Sequence, residues 1–231
     1  MKMVQIKLGF SNACLIIGDK PILVDTGVPG EEDKILRAVE AAGVQPGDIS
    51  LILHTHGHAD HVGSTAALRS RLGVPVAIHR ADEAMLRGEG ATNRLEPLRL
   101  ESRLMLPFIH LLVNKPLTPI APDLLIDEGT DLSAYGVDVR VLHTPGHTAG
   151  SLSFLLPKGD AIVGDLMMGG ILGGYLGSAR PNYPYYADDL EALRRSIRKV
   201  CNLSPNLLYV GHGGPLPGAP VGAYFSKIIR S

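Results

Sequence analysis

Neither sign of charge dominates this chain. Its 22 lysines and arginines stand against 23 aspartates and glutamates, a formal net charge of −1, with no long run of either sign. That balance leaves no electrostatic footprint for nucleic acid or a membrane surface, and a small-molecule substrate is the expected partner. Cysteine is scarce as well. Cys14 and Cys201 lie far apart, match no metal-binding or redox spacing, and read as two reduced thiols of a cytoplasmic protein. Long apolar runs are also missing. The longest candidate, "LMLPFIHLLV", is broken by Pro107 and His110 and falls short of the roughly 18 apolar residues of a membrane span. The start, "MKMVQIKLGFSNACLIIGDK", has a lysine before apolar residues, but those segments are short and no cleavage site closes them, so no leader is expected.

What is present is a strand–helix alternation. Strands are expected at 3–9, 13–18, 21–27, 49–55, 75–79, 124–129, 137–143, 151–157, 160–165 and 207–212, bounded by turn residues. Helical spacing marks 31–43, 64–73, 80–88, 190–201 and 221–231, with Asp188 and Asp189 placed to cap the fourth of these. Residues 167–186, rich in glycine and tyrosine, read as a long loop. The 231 residues suffice for a substantial core, and without a repeat or linker they read as one α/β domain.

Residues 88–122 break the rhythm, mixing helix-like apolar spacing with five prolines. Leu104, Met105, Leu106, Phe108, Ile109, Leu111, Leu112 and Val113 form an apolar cluster behind Arg94, Arg99 and Arg103. The expectation is a helical insert that covers the active site and contacts a second copy, giving a homodimer.

Histidine is concentrated. Four of the nine histidines, His54, His56, His58 and His61, fall within "LHTHGHADHVG", with Asp60 among them. Side chains alternate in extended chain, so His56 and His58 can share one side. Asp60 and His61 follow where the next helix begins and can turn toward a second nearby point. Neutral imidazole and carboxylate suit Zn²⁺, at about 2.0–2.2 Å from each ligand. A donor set without cysteine looks more like a site that keeps a position open for water than a closed structural one. Further candidates sit at strand-to-loop junctions: His147 in "HTPGHTAGS", Asp165 in "AIVGDLM", His212 in "YVGHGG" and Asp25 in "ILVDTG".

The ordered set "VDTG", "HTHGHADH", "HTPGHTAG", "GD" and "GHG" resembles the metallo-β-lactamase superfamily, especially its glyoxalase II-like hydrolases. That resemblance implies a four-layer αββα sandwich with the site at one edge of its two sheets. It implies that His56, His58 and His147 hold one metal, that Asp60, His61 and His212 hold another, and that Asp165 bridges them. Asp25 would orient a ligand from behind. The implied cofactor is two Zn²⁺ per chain, with Fe or Mn as alternatives. The implied chemistry is hydroxide attack on an ester, thioester or lactone carbonyl, with Asp60 as the catalytic residue that orients the hydroxide or passes a proton to the leaving group.

Two other readings stay open: a persulfide dioxygenase with one Fe(II) on two histidines and a carboxylate, and a non-catalytic binding protein on the same scaffold. Related lactonases carry a tyrosine where this chain has Met168. His54 and His143 have no counterpart among the family's ligands, and His79 and His110 read as structural. Tyr175, Tyr183, Tyr185 and Tyr186 are candidates for a substrate mouth.

Overall fold

The computed structural model describes residues 1–89, 96–98, 102–103 and 117–229. Strand β1 (Lys2–Lys7) pairs antiparallel with β2 (Asn12–Ile17), which pairs antiparallel with β3 (Pro21–Val24). The chain then passes through helix α1 (Glu32–Ala41) into β4 (Leu51–Leu53), parallel to β3. Two helices, α2 (Ala59–Val62) and α3 (Thr65–Leu72), lead to β5 (Val76–His79), and α4 (Glu83–Leu86) follows it. A two-residue strand, β6 (Glu96–Pro97), lies apart, and β7 (Leu124–Ile126) completes a six-stranded sheet of order β1-β2-β3-β4-β5-β7.

The second sheet starts with β8 (Arg140–His143), β9 (Leu152–Leu155) and β10 (Ala161–Gly164). A hairpin of β11 (Met168–Ile171) and β12 (Leu176–Asn182) intervenes, followed by β13 (Tyr186–Ala187), which pairs with β6. Helix α5 (Leu190–Asn202) then leads to β14 (Leu207–Val210), β15 (Leu216–Pro217) and helix α6 (Gly218–Ile228). The five-stranded order is β15-β14-β10-β9-β8.

Among the described residues, strand periodicity sorts the apolar side chains into three cores. On β2, Ala13 and Leu15 face α1 and α3, while Cys14 and Ile16 face the second sheet. On β4, Ile52 joins the outer side, and Leu51 and Leu53 join the inner. The second sheet sends Leu152, Phe154 and Ile162 inward, and Ala161, Val163, Leu208 and Val210 outward under α5 and α6. Burial on both faces explains why these strands are apolar nearly throughout. Helix α1 seats Ile35 and Val39, four residues apart, on the first sheet. Helix α5 seats Leu193, Ile197 and Val200 on the second, and the Asp189 carboxylate caps it by accepting from Ala192 N at 2.9 Å. The layers run helix, sheet, sheet, helix: the αββα sandwich is there.

One expectation is corrected. Residues 167–186 are not a loop throughout but carry β11, β12 and β13. The hairpin escapes pattern reading because β12 is exposed for most of its length and its register slips between Gly169 and Ile171. The apolar run 104–113, His110, Arg94 and Arg99 lie outside the described residues, and with them the helical cover and dimer contact. Nearer its end, Leu117 and Ile120 pack against the core under α1. Among the described residues no helix is long and apolar enough to cross a membrane.

Phe154 is 0% exposed between the sheets. Phe154→Ala should lower stability by about 3–5 kcal/mol, read as a lower denaturant midpoint at unchanged slope. A loss under about 1 kcal/mol would mean that the sheets are not packed through this ring.

Candidate metal centre

Both sheets deliver side chains to one edge. β4 ends at Leu53 and releases the chain into His54–His61. β8 is followed by the loop of His147, β10 by Asp165 and β14 by His212. Two glycines make the approach feasible. A Cβ on Gly211 would lie 2.0 Å from Asp165 Oδ1, so any side chain there would displace the carboxylate. Gly146, at φ +136, would put a Cβ 2.2 Å from Leu193 N, so only glycine seats the His147 loop on α5.

All seven residues expected as ligands are buried and meet here. They form three overlapping groups: His56–His58–His147, His56–His61–Asp165 and Asp60–His61–His212, the donor atoms within each lying inside 4.8 Å of one another. Asp165 is central. Its carboxylate oxygens lie 3.2 Å from His212 Nε2, 3.5 Å from His61 Nε2 and 3.6 Å from His147 Nε2. Asp60 Oδ2 stands 3.4 Å from His212 Nε2 and 3.8 Å from His61 Nε2.

These atoms fit a metal. His56 Nε2, His61 Nε2 and Asp165 Oδ1 are buried without a hydrogen-bond partner, an expensive state for polar atoms that an ion would relieve. The outer nitrogens are committed. His147 Nδ1 donates to Tyr186 O (2.9 Å) and His212 Nδ1 to Phe10 O (3.0 Å). A carbonyl can only accept, so the hydrogen sits on Nδ1. His61 Nδ1 faces Asp25 Oδ2 at 3.0 Å and His56 Nδ1 meets Thr55 Oγ1 at 3.0 Å. His58 is turned the other way, its Nδ1 2.9 Å from His147 Nε2. Nitrogen and oxygen donors without sulfur suit zinc, iron or manganese.

Without metal, protons balance the charge. Burial pushes the His61 imidazole down, but Asp165, Asp60 and Asp25 outweigh it and raise its pKa to about 9. His212 is likewise raised, its burial outweighed by Asp165 and Asp60. Asp165 and Asp60 are lowered despite burial, held ionised by His212 and His61. His56 and His58 are lowered by burial and by neighbouring imidazoles, His58 to about 3.

Asp25 sits behind the centre. Its backbone lies in the left-handed region at φ 60, unfavourable for a residue with a Cβ. From there its carboxylate accepts from Thr55 N (2.9 Å) and Thr55 Oγ1 (2.7 Å) and meets His61. His54 does not face the centre: Nε2 meets Thr65 Oγ1 at 3.1 Å and Nδ1 lies 3.6 Å from Asp25. His79 and His143 stack on each other at 4.3 Å, away from the seven.

Asp82, unmarked in the sequence, joins the two histidine loops. Its buried carboxylate accepts from Gly57 N (3.0 Å), Thr148 Oγ1 (2.7 Å) and Gly150 N (2.8 Å). Ser11 and Asn12, also unmarked, tie the β1–β2 turn to Asp60 O, Val210 O and Gly213 O. "HRADEAM" and "GFSNAC" carry no local signal of either duty, because the partners are distant in sequence.

Phe10, Met168, Pro184, Tyr185 and Tyr186 wall the opening beside His58, Asp60, His147, Asp165 and His212. Two of the four tyrosines expected at a substrate mouth are therefore there. Tyr183 packs on Phe225, and Tyr175, 74% exposed, donates to Gly9 O. Burial beside Tyr185 pushes the Tyr186 phenol up to about 12.

An αββα sandwich with a His/Asp cluster at one edge defines a metal-dependent class of protein. The family model of the metallo-beta-lactamase superfamily matches residues 6–212, and the chain belongs to that superfamily. Hydroxyacylglutathione hydrolase GloC of Haemophilus influenzae is 29% identical over 212 residues, 88% of this chain and 86% of the relative. A solved structure of TTHA1623 in a di-iron-bound form is 29% identical, with TM-score 0.64 over 94% of this chain and 96% of that one. The metallo-beta-lactamase family protein TTHA1429 of Thermus thermophilus shares the fold, with TM-score 0.70 at 23% identity over 99% of this chain and 78% of that one.

A metal held by His61 would have to displace its proton, whereas burial and neighbouring imidazoles already disfavour one on His56 and His58. In the metal-free fold, the stability from His61 is complete below its unfolded pKa of about 6.5 and is lost as pH rises through about 9. Proton release on zinc binding, measured by calorimetry in buffers of different ionisation heat, should therefore decrease as pH is raised through that value. Release that is constant from about pH 7 to 10 would contradict a protonated His61.

Proposed function

We propose that the protein is a hydrolase of a carbonyl-centred bond in a small molecule, an ester, thioester or lactone, working with two zinc ions. The observation that carries the reading is the position of Asp165, within 3.6 Å of histidines from both ligand groups. In this reading His56, His58 and His147 hold one ion, Asp60, His61 and His212 the other, and Asp165 spans them. Zinc bound there would polarise the substrate carbonyl and lower the pKa of its water to about 7.

The chain's own groups do the rest. Asp25, Tyr186 O and Phe10 O fix the direction of His61, His147 and His212 from behind. Asp60, whose main chain Ser11 anchors at 2.6 Å, presents a carboxylate to orient the attacking water and carry its proton to the leaving group. GloC, by its name a hydroxyacylglutathione hydrolase, supports the thioester arm. A second reading, a persulfide dioxygenase with one Fe(II), draws on the His56–His61–Asp165 group of two histidines and one carboxylate.

Elemental analysis of the purified protein, followed by a screen of esters, thioesters and lactones, separates the two. Near two zinc per chain with hydrolysis supports the first. One iron per chain, with oxygen consumed on a persulfide, replaces it.

The two carboxylates should also behave differently. Asp165→Ala removes the shared ligand and should lower occupancy of both ions. Asp60→Asn should keep metal on His56, His58 and His147 while lowering kcat about 10²–10⁴-fold. Equal metal loss in the two variants would remove Asp165 from its bridging role.

A further inference from the structure

β13 is two residues long, and the two side chains go opposite ways. Ala187 enters the core under α5. Tyr186 therefore faces the other side, where it walls the pocket beside His58, His147 and Asp165. Its residue is 5% exposed, and its hydroxyl is buried without a hydrogen-bond partner. Its backbone carbonyl meanwhile accepts from His147 Nδ1, so the residue is fixed against the three-histidine group. The adjacent Tyr185 differs: its hydroxyl accepts from Gly173 N at 2.9 Å.

A buried phenol with no partner is costly, and such groups in native structures call for an explanation. Phe10, Met168 and Pro184 offer apolar side chains to the same pocket. What the phenol lacks is an acceptor, and a carbonyl oxygen entering the pocket is one.

We propose that the Tyr186 hydroxyl donates a hydrogen bond to the substrate's carbonyl oxygen. The proposal rests on the hydrolase reading above. As that carbon becomes tetrahedral its oxygen gains negative charge, so the bond strengthens toward the transition state and acts on kcat more than on substrate binding. Tyr186 would bring this phenol to the centre from β13.

The test compares metal-loaded wild type with Tyr186→Phe. Metal content and thermal midpoint are measured first and should match, since phenylalanine keeps the ring. Two readouts follow: kcat and KM on the best ester, thioester or lactone of the screen, and calorimetric binding of phenyl trifluoromethyl ketone, whose hydrate presents a tetrahedral carbon. The variant should lose about ten- to a hundredfold in kcat with KM nearly unchanged, and a similar factor in ketone affinity. Equal ketone affinity in the two proteins, with hydrolysis intact, overturns the role of Tyr186 and leaves the hydrolase reading standing. Ketone binding by a wild type that hydrolyses no member of the screen overturns the hydrolase reading, and affinity alone then decides Tyr186. A wild type that does not bind the ketone overturns the proposal, as does a variant that loses its metal.

Discussion

A buried imidazole can aim one nitrogen at a ligand only if its other nitrogen is tied down, and the centre is built on that constraint. His61 leans on the Asp25 carboxylate, His147 on the carbonyl of Tyr186 and His212 on the carbonyl of Phe10. Each contact chooses a tautomer and stops the ring from turning. These supports are distributed: Phe10 lies in the β1–β2 turn, Asp25 just past β3 and Tyr186 in β13. Much of the fold near this edge therefore serves orientation. The left-handed backbone at Asp25 belongs to the same account, because a short carboxylate reaches both Thr55 and His61 from that turn.

The histidine loops are joined to each other as well as to their supports. One carboxylate, Asp82, receives Gly57 from the first loop and Thr148 and Gly150 from the second. With charge-assisted bonds to both loops, a shift in one is transmitted to the other. The distance between the two halves of the three-histidine group is thus set partly by a carboxylate that holds backbone amides and a threonine hydroxyl of the two loops.

How much of this was legible follows from where each signal lies in the chain. The alternation of strands and helices could be read because the buried strands are continuous apolar runs and the helices repeat every three to four residues, whereas the αββα layering was implied only by the family resemblance. His56, His58, Asp60 and His61 are close in sequence, and His147, Asp165 and His212 each lie in the loop after a strand, so residue type and context agreed. Asp82 could not be found that way, because its partners lie 25 to 68 positions away and two of them are backbone amides. The carbonyls of Phe10 and Tyr186 are invisible for a simpler reason: every residue has one. The β11–β12 hairpin was missed because strand patterning reports a buried face, and β12 has mostly exposed positions.

The two sheets contribute unequal but inseparable shares. The first sheet's connection supplies His56, His58, Asp60 and His61, and the second sheet's loops supply His147, Asp165 and His212. Every group of three that includes Asp165, His147 or His212 therefore crosses from one sheet to the other. These side chains come together only when the inter-sheet core around Phe154 has closed. An ion bound there favours the closed sandwich over any state in which the sheets separate, and its binding free energy becomes part of the stability of that core. In the metal-free molecule the carboxylates instead hold protons on His61 and His212. Metal and protons would therefore compete for the same buried negative charge.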